Sequence, residues 1–155
     1  MKKQIIKIEK ETLILLLNNN EINFNDNVKQ NIINKLYNII SNESENNIDI
    51  DYADVASVID GSEESYLVNL CIDISKMKEQ WNQNIIYEAI QNNKIKNILL
   101  NFTLNSKMNL LHILEIMETI NDVVVDNDES SIIFGTTNDE SLENNVVEVM
   151  AVISV

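Results

Sequence analysis

Proline and arginine are absent from this sequence, and glycine occurs twice in 155 residues. Without proline and with so little glycine, few positions suit sharp turns. Two glycines also cannot build a glycine-rich phosphate loop. All 11 basic residues are lysine, against 25 acidic ones, for a net charge of −14. Nucleic-acid binding rests on cationic contacts to phosphate, so this balance argues against DNA or RNA as a partner, and against anionic membrane surfaces. A single cysteine, Cys71, excludes an internal disulfide and a cysteine metal cluster. It lies in the apolar run YLVNLCIDI, where a buried, inert thiol is expected. The one histidine, His112, sits between Leu111 and Ile113 and lacks the acid and nucleophile of a catalytic set. No apolar stretch reaches the 18 residues that mark a membrane-spanning helix. The start, MKKQIIKIEKE, is too charged and its apolar run too short for a signal peptide, so a cytoplasmic location is expected.

What is present fits one domain, or one domain with an appendage. The hydrophobic fraction is 45%, ordinary for a globular protein. A chain of this length buries about 70% of its unfolded surface, so a sizeable core is expected. The acid is concentrated. Glu43 to Glu64 hold eight carboxylates and no base, and ten more follow Lys107, again with no base. Such runs form solvated surface; they also suit docking of a cationic partner or of a divalent metal. The 26 asparagines are spread through periodic segments and do not form a low-complexity tract.

Along the chain, Ile5, Ile6 and Ile8 alternate weakly and suit a short strand, and TLILLL at 12–17 is ambiguous between strand and helix. Val28, Ile32, Ile33, Leu36, Ile39 and Ile40 fall at helical spacing, with Asp26 or Asn27 as N-cap. After SNESENN comes IDIDYADVASVID, where Val55, Val58 and Ile59 mark a short helix and Asp51 with Asp54 form a capping box. Strands are expected at 66–74, 97–104, 130–137 and 146–155. Helices are expected at 81–91 and 109–125, the second with Leu110, Ile113, Leu114, Met117 and Ile120 on one face. Trp81, Met77, Met108, Met117 and Met150 suit core packing. Helix-linked strands are parallel as a rule, and the last two strands, joined by NDESLENN, are expected antiparallel. The fold class is therefore α/β, in the form of an α+β two-layer sandwich. A four-stranded mixed sheet carries packed helices and is preceded by a long helix.

Three segments carry a family resemblance. SIIFGTTNDESLENNVVEVMAVISV resembles the end of the C-terminal domain of the tubulin/FtsZ family, which reads N-I-I-F-G, an acidic turn with S-L, then an alternating strand. Ile132, Ile133, Phe134, Gly135, Asp139, Ser141 and Leu142 match. ILLNFT at 98–103 looks like the family's V-L-V-N-I-T strand, with Asn101 and Thr103 identical. DYADVASVI at 51–59 is similar to the family's N-x-D-F-A-D-V-x-T-V-M segment. The three stand in the family's order and spacing over roughly residues 26–155. Residues 1–25 do not align and are set apart as an extension or an inter-domain remnant.

The resemblance implies a polymer-contact module without the GTP-binding domain. In the family the D-x-A-D-V segment is the synergy loop, which enters a neighbouring subunit's nucleotide pocket. Its carboxylates help position the attacking water and a cation. A water attacking phosphate needs such an acceptor, and the phosphate charge needs a metal. Asp51 and Asp54 match the two family aspartates and are candidates for catalysis in trans. Asp49, Asp51, Tyr52 and Asp54 are candidates for partner contact. Asp49, which stands where the family has Asn, joins Asp51 and Asp54 as a weak set of metal ligands. Capping of the short helix explains Asp51 and Asp54 equally well.

The departures bear on activity. The family's glycine-rich loop has no counterpart. Asn27 falls where an aspartate contacts guanine, Leu104 and Asn105 replace glycines, and Val152 and Ile153 stand near the family's closing T-G. The implied function is a non-enzymatic module that binds an FtsZ- or tubulin-like GTPase, or itself, and modulates polymerisation or cell division. GTP and Mg²⁺ enter only if a partner chain holds them. Two alternatives stand beside it: half of a split or truncated FtsZ-family GTPase, and a decayed or repurposed α/β binding module.

Overall fold

A computed structural model of the chain describes residues 3–18, 26–41, 48–73, 96–108, 111, 113, 114, 117 and 131–154. Its elements are β1 (Lys3–Glu9), α1 (Lys10–Asn18), α2 (Asn27–Ser41), α3 (Tyr52–Ile59), β2 (Glu64–Asp73), β3 (Asn97–Leu104), β4 (Ser131–Asn138) and β5 (Val146–Ser154). The helix expected at 81–91, with Trp81 and Met77, lies outside the described residues, as do His112 and most of the helix expected at 109–125.

The strands form one mixed sheet in the order β1-β2-β5-β3-β4. β2, β3 and β4 run in one direction, with β3 and β4 a parallel neighbouring pair. β5 runs against them between β2 and β3, antiparallel to both. The last two strands are thus opposed in direction, as their short connection requires, but they are not neighbours. The sheet has five strands instead of four. The weakly alternating start of the chain pairs with β2 along its whole length, from Lys3 opposite Leu70 to Glu9 opposite Glu64. Residues 3–18, set apart as an extension on sequence grounds, therefore supply an edge strand and a helix to the same fold. The long helix expected ahead of the sheet is not seen. α2 has 15 residues, spans about 22 Å at 1.5 Å per residue, and follows β1.

TLILLL resolves as helix because Leu13, Leu16 and Leu17 fall on one buried face. They meet Ile32, Ile33 and Leu36 of α2 and Val55, Val58 and Ile59 of α3. These helices cover one sheet face, where Ile6, Ile8, Leu67, Leu99, Met150 and Val152 point. The other face gathers Val68, Leu70, Leu100, Phe102, Val149 and Ile153, with Met108 and the helical residues Ile113 and Met117 packed on it. Apolar packing thus covers both faces, where two layers were expected. Burial on both sides explains the near-continuous apolar runs of β3 and β5. Two sequence expectations fail locally. Leu114 is 54% exposed, because the inward stripe runs through Ile113 and Met117. Cys71 is only half-buried: alternation along β2 turns it away from the core that holds Leu70 and Ile72, and it lies opposite Glu148 of β5.

Candidate functional site

Asp51 is the N-cap of α3, in extended conformation with φ −114° and ψ 178°. Its carboxylate accepts from the Asp54 N–H at 2.9 Å, and the Asp54 carboxylate accepts from the Asp51 N–H, also at 2.9 Å. The D-x-x-D spacing therefore folds as a reciprocal capping box, satisfying amide donors the first helical turn leaves open. Each carboxylate keeps one oxygen free. Asp49, Asp51 and Tyr52 are exposed and Asp54 is half-exposed.

What fixes this segment is the strand beside it. Ile48 bridges the outer edge of β4: the Thr136 N–H donates to the Ile48 carbonyl at 2.9 Å, and the Ile48 N–H donates to Thr136 Oγ1 at 3.0 Å. Two residues on, Ile50 is buried and packs directly over Gly135. A Cβ at 135 would stand 2.5 Å from Ile50 Cγ1 and 2.6 Å from the Ile48 carbonyl oxygen. Glycine at 135 is what lets residues 48–50 lie against the strand. The sequence pointed to Asp49, Asp51, Tyr52 and Asp54 but missed Ile48, Ile50, Gly135 and Thr136, which hold them. The available signal was the lone glycine inside a strand, a mark of close backbone approach.

Beside the segment lies an open cleft of about 450 Å³, bounded by Ile48, Leu104, Asn105, Ser106, Met108 and Thr137 among others. It sits at the carboxyl ends of the parallel strands β3 and β4, where open α/β sheets offer ligand crevices. Its lining is neutral, and its floor is held rigidly. Asn105, buried where the resemblance led one to expect glycine, donates to the Leu142 carbonyl at 3.0 Å and to Asn144 Oδ1 at 2.9 Å. The Asp139 N–H donates to the Leu104 carbonyl at 2.9 Å.

The Asp139 carboxylate accepts from the Ser141 hydroxyl and N–H, and Glu140 accepts from the Ser106 N–H at 3.0 Å. Hydrogen bonding from Ser141 holds Asp139 below the ordinary carboxylate range, and bonding from Ser106 does the same for Glu140. A carboxylate depressed in the folded state stabilises above its unfolded pKa, near 4, and that stability is lost as pH falls through the folded value. The Asp139→Asn/Glu140→Gln variant should therefore be less stable than the wild type at neutral pH. The gap in unfolding midpoint should close as pH drops below about 4. A gap that stays constant across a pH-dependent melting series would contradict this assignment.

Among the described residues, no group of three or more His, Cys, Asp or Glu is arranged to hold a metal ion. Asp49, Asp51 and Asp54 share a segment but are not gathered into such a set. Asn27 is the first residue of α2 and exposed, and the neighbouring Asp26 caps the helix by accepting from the Val28 N–H at 2.9 Å. Across the sheet, Lys35 of α2 is bonded to Glu148 of β5, and the Asn69 amide of β2 lies beside both; with its oxygen turned to Lys35 and its nitrogen to Glu148 it accepts at 2.8 Å and donates at 3.3 Å. This half-buried set fixes α2 over the sheet, away from the Asp49–Asp54 segment. No described helix is long and apolar enough to cross a membrane.

No protein-family model matches the sequence, and no curated protein matches it. Solved structures do. An empty FtsZ dimer from M. jannaschii is 21% identical with a TM-score of 0.60, over 91% of this chain and 42% of that chain. A tryptophan-to-tyrosine mutant of M. jannaschii FtsZ is 18% identical with a TM-score of 0.54, over 90% of this chain and 44% of that one. The protein thus shares a fold with part of those chains and spans less than half of their length.

Proposed function

We propose that this chain is a non-catalytic counterpart of the FtsZ C-terminal domain. It binds an FtsZ- or tubulin-like GTPase, or the end of its filament, through the segment Asp49–Asp54 and modulates polymerisation. The observation that carries this reading is the seating of that segment. Ile48, Ile50 and the capping box hold the backbone rigidly while Asp49, Asp51 and Tyr52 face outward. A preorganised acidic loop loses little freedom on docking. Its free carboxylate oxygens can orient a water, or complete the shell of a cation, at a phosphate held by another chain. The neutral cleft beside it would take an apolar side chain of the partner. The likeness of its fold to part of an FtsZ chain is in keeping with this reading.

Sedimentation and GTP turnover of an FtsZ with this chain in excess test the reading. Added chain should change the pelleted polymer mass or the hydrolysis rate. Asp51→Asn with Asp54→Asn should abolish the effect while leaving the fold intact, because Asn also caps. Asp51→Ala removes charge and cap together and should cost about 0.5–2 kcal/mol of stability as well. An unchanged pellet and rate at excess chain would sink the proposal. The partial coverage of the FtsZ chains also favours a second reading, one half of a split GTPase. In that case a separate chain carrying a glycine-rich loop should co-purify and restore GTP binding.

A further inference from the structure

The two edges of the sheet are built differently. β1, at one edge, carries Lys3, Lys7 and Glu9 within seven residues, and Lys7 is paired with Glu64 at 2.9 Å. Charges of this kind keep an edge strand from pairing with another chain. β4, at the other edge, reads SIIFGTTN, eight residues with no charge, in a chain of net charge −14. Phe134 is 38% exposed there, and Ile132 and Ile133 are half-buried.

The Thr136 N–H points outward, to Ile48. The Ser131 N–H points inward, to Asn97 Oδ1 at 2.8 Å. Alternation therefore places the N–H and C=O of Ile132 and Phe134 on the outer edge. Among the described residues, Ile48 is the only one bridged to that edge, at Thr136, and none of them pairs with the outward N–H and C=O of Ile132 or Phe134. The middle residue of the stretch from Ser131 to Gly135 is Ile133.

We infer that two copies of this chain associate by antiparallel pairing of β4 with β4, centred on Ile133. Phe134 N–H of each copy donates to the Ile132 carbonyl of the other, and Ile132 N–H to the Phe134 carbonyl. Each Phe134 side chain then lies across from an Ile132, an aromatic against a β-branched residue on one face. A second copy is the occupant for three reasons. The stretch is self-complementary about its centre. It is the edge where two strongly negative chains meet without opposing charges. The Ile48 bridge ends it at both limits of the two-fold ladder, so the pairing closes at two copies. The contact is short, well under the size of a stable interface, so the dimer is weak and reversible. It is independent of the Asp49–Asp54 reading.

Sedimentation velocity of the full chain over a wide concentration series tests it. A monomer–dimer equilibrium is expected, and added salt should strengthen it by screening the repulsion between the copies. Phe134→Pro deletes an outward donor and leaves the bonds to β3 in place, as proline at an edge can. Phe134→Glu sets like charges into the ladder. Each should weaken dimerisation about tenfold or more, with circular dichroism and melting temperature nearly unchanged, whereas Phe134→Leu should still dimerise. A chain that stays monomeric at the highest concentration, a dimer that survives both variants, or assembly beyond two copies would each overturn the inference.

Discussion

Gly135→Ala should unseat residues 48–50 from the sheet. The added methyl meets Ile50 Cγ1 at 2.5 Å, which a side chain could evade, and the Ile48 carbonyl oxygen at 2.6 Å, which is backbone and can move only with its segment. Overpacking of this kind costs about 1–3 kcal/mol. For a chain of this size each kcal/mol lowers the melting temperature by about 2–4 °C. The bonds between Thr136 and Ile48 should go with it, so the Thr136 amide should exchange with solvent far faster than in the wild type while β3 amides stay protected. Unchanged exchange at Thr136 would show that the segment is held by other contacts. The variant also joins packing to function. A loosened segment still carries Asp49, Asp51 and Asp54, but must be ordered on docking, so binding should weaken although no carboxylate has changed.

Phe102→Ala should destabilise the fold more than Gly135→Ala or the loss of the Asp51 cap. Phe102 is fully buried on β3, opposite Val149 of β5 and Thr136 of β4. Truncating a buried phenylalanine costs about 3–5 kcal/mol, in a fold whose total stability is about 5–15 kcal/mol. Denaturant unfolding should show the midpoint falling steeply, with Phe102→Leu intermediate. Phe134 makes the control, since it lies on the neighbouring strand but is part-exposed, and its replacement by alanine should cost roughly 1 kcal/mol or less. Equal losses at both positions would contradict the burial described.

The contrast between these two phenylalanines shows what the sequence made legible. β3 and β5 are apolar on both faces and bounded by polar turns, so their extent was read to within a residue, and D-Y-A-D carried its own helix start. Partners were not legible. The alternation in QIIKIE gives a strand but not the strand beside it; only the outward face of β2 in the folded sheet offers that place. Strand order was illegible for the same reason. A short connection between β4 and β5 fixes their opposed directions, yet β5 pairs with β2 and β3 because the deepest core lies between them. At the site, charge and spacing exposed the carboxylates. The residues that hold them, Ile48, Ile50 and Thr136, look ordinary in sequence and acquire their role only where the chain crosses Gly135.

The central place of β5 also governs when the molecule can form. Ser65 lies opposite Ser154, and Asn97 lies opposite the same Ser154 on the other side. Until β5 arrives, β2 and β3 have no shared neighbour, and the sheet is two unjoined halves. During synthesis the ribosome must therefore release nearly the whole of this sequence before the fold can close. Contacts so distant along the chain make closure slow. Any nascent chain paused upstream of Val146 would present two sets of bare strand edges to its surroundings, a state that chaperones rather than packing must manage.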